Sequence, residues 1–211
     1  MNALASAASG AAAATRGQLT RSRIVRVAGN LFRTQGYECT TVREIAAAAG
    51  LQSGSLFFHF NSKEEILMAV LEGGLRRAAT VLEQSLARAG SPREALRALL
   101  HGHLQAVLVE EPDAFHVALY EWRTLSPPAR QRVIALRDEY ESRFGRELDR
   151  LASAGLVPRG THLYRLFLLG ALNWSLQWYR PGGALDVAAL AEGFLAFLLP
   201  PAAPARRGGG K

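Results

Sequence analysis

The stretch "GLQSGSLFFHFNSKEEI" (Gly50–Ile66) holds two adjacent phenylalanines, a histidine and a lysine, directly after the small residues Ser53, Gly54 and Ser55. Flat rings beside a cation and small polar residues suit contact with bases, sugars and phosphates rather than bond-breaking chemistry. Elsewhere the chain offers no nucleophile–base pair, metal cluster or phosphate-binding glycine loop, and "RPGG" (Arg180–Gly183) is too short to cradle phosphates. None of the five histidines lies four residues from another. His101 and His103 sit about 200° apart around a helix, so they cannot share a metal. An enzyme on a helical scaffold is therefore the weaker reading, and neither a metal nor a cofactor is expected.

Charge placement points the same way. Of the net +7, residues 15–65 hold seven Lys/Arg against four Asp/Glu, and "ARRGGGK" at the end adds three more positive charges. The chain between them is close to neutral, so the N-terminal segment is the one that suits a polyanion. Nearly half of the 211 residues are apolar, enough for a sizeable core. No apolar run reaches the ~18 residues of a membrane span, and the N-terminus has neither the basic start nor the apolar centre of a secretory signal. The single cysteine, Cys39, excludes an internal disulfide, suits a cytoplasmic protein and reads as a small packing residue.

Those residues need elements to position them, and every element reads as a helix. Residues 1–18, rich in Ala, Ser and Gly, read as a disordered tail. From Thr20 the apolar stripe of Ile24, Val27, Ala28, Leu31 and Phe32 gives a helix that Gly36 ends. "TVRE" (Thr41–Glu44) is a capping box for a short helix through Ala49, Gly50 stops it, and Ser53 caps a third through Phe60. "SKEE" (Ser62–Glu65) opens a long helix to about Ala89. "SPREAL" (Ser91–Leu96) starts a helix to about Glu110, Pro112 one through Leu125, and "SPPARQ" (Ser126–Gln131) one to Ala154. Two more, near 161–179 and 187–198, complete nine helices. The expected organisation is all-α: a disordered tail over 1–18, a helix-turn-helix domain over 19–66, a helical-bundle domain for effector binding and dimerisation over 67–199, and a flexible basic tail over 200–211.

At about 100° per residue, Leu56 and Phe60 of the third helix face inward with Ile45 and Phe32. Gly54, Ser55, Phe57 and Phe58 take the outward side, flanked by Ser53 and His59. A short helix of this kind after a capped helix and the turn "AGLQ" forms a helix-turn-helix whose outward rings are covered by DNA.

Over Arg23–Leu67 the chain resembles the DNA-binding domain of the TetR/AcrR family of bacterial regulators. Phe32, Gly36-Tyr37, Thr41, Ile45-Ala46, Ala49-Gly50, Leu56, His59-Phe60 and Lys63 all stand in register. The resemblance implies that Ser53, Gly54 and Ser55 approach base edges and that Arg43 reaches a guanine. It also implies that Thr41, His59 and Lys63 hold phosphates. Phe57-Phe58 replaces the usual Tyr-Tyr or Tyr-Trp pair, which removes two hydroxyls that could bond phosphates. Among the remaining basic residues, Arg21 and Arg23 are the better phosphate candidates.

The closing segment "LLGALNWSLQWYRPGG" (Leu168–Gly183) is similar to a subgroup of the family ending in "WYRPGG", which includes regulators of fatty-acid and steroid-ring breakdown that respond to acyl-CoA thioesters. Arginines on the penultimate helix hold the cofactor phosphates in such proteins; here Arg165 starts that helix, while Leu169 and Gln177 occupy its inner turns. Polar or aromatic residues interrupting apolar faces are the candidate effector contacts: His103, Phe115, His116, Leu119, Tyr120, Trp122, Arg123, Tyr164, Asn173, Trp174, Gln177 and Trp178. Core packing is the alternative role for each aromatic.

The expected protein is a cytoplasmic, homodimeric repressor, paired through its last two helices and bound to a palindromic double-stranded operator. A small hydrophobic effector, acyl-CoA thioester or otherwise, releases it by moving the long fourth helix. The alternatives are an efflux-type repressor sensing hydrophobic drugs and an effector-free DNA-binding protein.

Overall fold

The computed structural model describes residues 2–199, with side chains from Gly17 onward. It is all-α, with no strand among the described residues. The helices are α1 (Asn2–Gln35), α2 (Val42–Ala48), α3 (Ser53–Leu56), α4 (Lys63–Leu86), α5 (Pro92–Gln105), α6 (Pro112–Tyr120), α7 (Pro127–Ser153), α8 (Thr161–Trp178) and α9 (Val187–Leu198). A π-helical turn, Ala106–Glu110, follows α5, and a 3-10 turn, Trp122–Thr124, follows α6. No helix among the described residues is long and apolar enough to cross a membrane.

The boundaries follow local chemistry. At α2 both halves of the capping box form: Thr41 Oγ1 accepts from the Glu44 amide and the Glu44 carboxylate accepts from the Thr41 amide. Ser91 and Asp186 cap α5 and α9 through the amides of Glu94 and Ala189. At Ser62 the box is only half made. Ser62 Oγ accepts from the Glu65 amide, but the Glu65 carboxylate turns to Asn61 instead. Gly36 and Gly50 end α1 and α2 at φ of 84° and 65°, a region where a Cβ is strained.

Three elements depart from expectation. Helix α1 opens at Asn2, where composition suggested a disordered tail; an Ala-rich stretch without proline has high helix propensity. Helix α3 is a single turn, not two, and continues through looser turns over Phe57–His59. The helix expected through Leu125 stops at Tyr120 and tightens into the 3-10 turn. The basic tail over 200–211 lies outside the described residues.

The chain packs as two units. The first contains the residues up to Ala79 together with Glu111–Glu141. Its core joins Ile24, Ala28 and Phe32 of α1, Ile45 and Ala46 of α2, Leu56, Phe60, Leu67 and Leu71, and Val117 of α6. The small residues Ala114 and Ala118 let α6 lie close against its neighbours, and the Arg33–Asp113 ion pair, at 2.5 Å, joins α6 to α1. The sequential split between residues 66 and 67 thus differs from the packing, because α6 and the start of α7 return to the first unit.

The second unit contains Thr80–Glu110 and the chain from Ser142 onward. Leu96, Leu99, Leu100 and Leu104 of α5 are fully buried, with Phe144, Leu148, Leu172 and Leu195 in the same unit's core. Helix α5 packs on α8 and α9, and Arg97 pairs with Glu192 at the α5–α9 contact.

Candidate nucleic-acid interface and effector residues

Helices α2 and α3 are joined by a tight turn in which the amides of Gly50 and Leu51 bond the carbonyls of Ala47 and Ala46. Leu56 and Phe60 are buried and anchor the turn of α3, as the helical spacing predicts. The opposite side is open: Gly54 is exposed, Ser53 and Ser55 are half-buried, Phe57 is 53% exposed and Phe58 89% exposed. Two adjacent exposed rings mark this side as a contact surface. Arg43 is exposed on α2 and makes no hydrogen bond or ion pair among the described residues, so its guanidinium is available for a base or phosphate.

Three expected phosphate contacts look different in the structure. Thr41 is exposed, but its hydroxyl donates to Glu44 Oε2 at 2.7 Å while its oxygen accepts from the Glu44 amide, so it is occupied as a helix cap. His59 is half-buried, and its carbonyl accepts from Arg21 Nη1 at 2.6 Å. Lys63 departs most. Its Nζ donates to the carbonyls of Tyr37 at 2.8 Å, Thr40 at 2.9 Å and Glu38 at 3.4 Å, and lies 4.3 Å from the Tyr37 ring centre. An ammonium has three protons, and all three face protein oxygens. Cys39, expected to pack, is exposed.

Sequence reasoning passed over two neighbours of this face. Gln52, exposed at the N-cap of α3 without bonding the helix, precedes the small residues and is free to meet a base edge. Arg26 is exposed on α1 beside the better-marked Arg23. Position relative to Ser53 was the signal for Gln52; Arg26 carried none beyond its charge.

The effector candidates divide between the units. In the first, Phe115 is buried with its ring edge-on to Tyr140, centroids 6.0 Å apart. His116 is half-buried beside Tyr120, and burial, then the nearby Arg33 charge, holds its imidazole below the usual range. Leu119 and Trp122 are half-buried, Tyr120 is 44% exposed, and Arg123 is exposed with its guanidinium 5.8 Å from the Trp122 ring.

In the second unit His103 is buried on α5, its Nε2 3.1 Å from Asn173 Oδ1 on α8 and its ring edge-on to Phe144. Tyr164 is half-buried, which raises its phenol pKa. Trp174, Gln177 and Trp178 do not join this interior. They are exposed on the other side of α8 from the buried Leu168, Leu172 and Ser175. Periodicity pairs Trp174 with Trp178 on one face, and that face is the outer one. Phe144 and the buried Ser175 hydroxyl, which has no hydrogen-bond partner among the described residues, are polar-aromatic features of this interior that the sequence did not single out.

The head's geometry has a counterpart in known families. Residues 24–70 match the model of the bacterial regulatory proteins of the tetR family, and residues 89–200 match the tetracyclin repressor-like C-terminal domain. The chain belongs to the TetR family. As a TetR-family protein it is a DNA-binding transcriptional repressor, in line with its relatives. It is 31% identical over 187 residues to the HTH-type transcriptional repressor KstR2 of Rhodococcus jostii (strain RHA1), covering 85% of this chain and 89% of that one. Among solved structures it is 40% identical to one described as superantigen PfiT, with a TM-score of 0.73 over 86% of this chain and 96% of that one. It is also 26% identical to AibR, solved with isovaleryl coenzyme A and operator DNA, with a TM-score of 0.77 over 86% of this chain and 99% of that one.

Proposed function

We propose that this TetR-family repressor is a cytoplasmic homodimer that reads a near-palindromic operator with α2 and α3 and is released by an acyl-CoA thioester. The observation that carries the DNA-reading part is the division at α3: Leu56 and Phe60 lie inward while Gly54, Phe57 and Phe58 lie outward. In this reading Ser53, Gly54 and Ser55 meet base edges, Arg43 takes a guanine, and Phe57 and Phe58 cover sugars or thymine methyls. Thr41 and His59 lie at the phosphate edge of that face.

The thioester reading is supported by AibR, whose structure holds isovaleryl coenzyme A, and by the "WYRPGG" ending. Asn173 and His103 supply paired polar groups inside the second unit, and Arg165 on α8 is the cation for a phosphate. Helix α4 is continuous from Lys63 to Leu86, so a ligand that displaces its later turns also moves the start, where the reading head ends.

The test is fluorescence anisotropy with duplexes from the region upstream of the chain's own gene, followed by titration of short-chain acyl-CoAs, free coenzyme A and a hydrophobic drug. Release by acyl-CoA alone supports the reading. Release by the drug alone supports the efflux-type alternative, and no binding to any duplex rejects both. Arg43→Ala should relax preference at one base pair per half-site, since a bidentate Arg–guanine contact gives about 1–3 kcal/mol of discrimination.

A further inference from the structure

Helices α2 and α3, seven and four residues long, are too short to hold themselves in register with DNA, because isolated helices below ~12 residues are marginal. Their flanking loops must be fixed from outside. Two cations do this. Lys63, at the start of α4, brings its ammonium onto the carbonyls of Tyr37, Glu38 and Thr40, the loop that leads into α2. Arg21, on α1, donates to the His59 carbonyl at 2.6 Å and lays its guanidinium 3.9 Å from the Phe60 ring centre, just after α3. Its other nitrogen is 4.0 Å from Glu65 Oε1, and Glu65 Oε2 accepts from the amide and side chain of Asn61 at 2.8 and 3.0 Å. The segment that presents Phe57 and Phe58 is thus tied at its exit.

We infer that Lys63 and Arg21 are positioning residues for DNA reading, which clamp the entry to α2 and the exit from α3 through protein oxygens, and that the phosphates are met instead by Arg23 and Arg26. Those two arginines are exposed and make no ion pair or hydrogen bond among the described residues. The inference rests on the reading of the chain as an operator-binding protein. It assigns Lys63 a role opposite to a phosphate contact: loss of its charge changes how well the head is shaped, not how many counterions DNA releases.

The experiment uses the full chain carrying Lys63→Met, Arg21→Met, Lys63→Arg or Arg23→Met. Binding to the operator is measured from about 50 to 200 mM salt, where each lost phosphate contact lowers the slope of log affinity against log salt by ~0.9. Lys63→Met and Arg21→Met should lose about tenfold or more in operator affinity with the slope unchanged, whereas Arg23→Met should lower the slope by about one per half-site. Lys63→Arg should bind as poorly as Lys63→Met, because a planar guanidinium cannot bring three protons to one point among three carbonyls. A slope lowered by Lys63→Met and restored by Lys63→Arg would overturn the inference. Amide hydrogen exchange without DNA gives a second readout. Thr40 should exchange faster in Lys63→Met, and His59 and Phe60 faster in Arg21→Met, with α9 unchanged. Unchanged exchange at these amides also overturns it. If the wild-type protein binds no duplex, operator reading fails and the exchange measurement alone decides the clamp.

Discussion

Asn173 on α8 holds its Oδ1 3.1 Å from Nε2 of His103 on α5, inside the second unit and beside the edge of Phe144. An amide oxygen accepts, so the imidazole keeps its proton on Nε2. His103 is 1% exposed, and burial pushes its pKa down to about 4, the Asn173 bond opposing that only in part. The residue is therefore neutral across the physiological range, with its one N–H given to Asn173.

This gives the first prediction a definite sign. The unfolded chain protonates His103 near the ordinary value of 6.5, the folded one only near 4. Its contribution to stability is complete above pH 6.5 and is lost as pH falls from 6.5 to 4, by up to about 3 kcal/mol. Urea midpoints of wild type and His103→Gln should converge on acidification from pH 7 to 5. Parallel curves would mean that His103 is hydrated.

A second prediction concerns Phe57 and Phe58. Both face outward, so replacing them together by alanine should move the melting temperature by only ~1–2 °C. Operator affinity should fall at least tenfold as cover over sugars and thymine methyls is lost. Tyrosine at both positions should strengthen binding by about 0.5–1.5 kcal/mol for each phosphate bond made. A melting loss of ~10 °C in the alanine variant would place the rings in the core.

A third contrasts two glycines of the first unit. A Cβ at Gly74 would lie 2.2 Å from the Ala114 Cβ and 3.7 Å from its Cα, so α4 and α6 approach closely only because Gly74 has no side chain. Gly74→Ala should cost a net ~1–2 kcal/mol after about 1 kcal/mol of helix propensity is regained. At Gly29 the nearest atom, Val70 Cγ1, is 3.4 Å away, an ordinary contact. Gly29→Ala should therefore be neutral or stabilising by up to ~1 kcal/mol. Thermal melts of the two variants check the contrast.

Much of the reading head was legible because its signals are local. The capping box at Thr41–Glu44 and the end of α2 at Gly50 depend on residues a few positions apart, and the inward Leu56 and Phe60 follow from helical spacing. The contacts of Lys63 were not legible because its three carbonyl partners lie 23 to 26 residues earlier, and no spacing rule shows an ammonium folding back on them. Helix α3 came out shorter than expected since Gly54 and two serines give it little propensity and Leu56 is its one buried residue. The placement of the effector candidates on α8 was not legible for a different reason. Helix α8 is apolar on two sides, with Leu168 and Leu172 on one and Phe167 and Trp174 on the other. Periodicity cannot say which of two apolar faces is inside.

That outer face of α8 leads to the last prediction. Leu163, Phe167, Trp174 and Trp178 fall within about 60° of one another around the helix, with Gly170 between them. They are 59, 73, 63 and 47% exposed, and Phe197 on α9 is 81% exposed. Rings in such a row mark an interaction surface, and Gly170, with nothing within 4 Å of its Cβ position, leaves room for a second helix. In the proposed dimer the face meets its copy across a two-fold axis, and each partner's reading head occupies one half-site. Phe167→Glu with Trp174→Glu places four carboxylates in that contact per dimer, where like charges repel and lose water. Light scattering should give half the wild-type mass, operator affinity should drop ~100-fold or more, and the helical circular dichroism should be unchanged. A double variant that keeps the wild-type mass and binds the operator normally would assign this face to something other than a second copy of the chain.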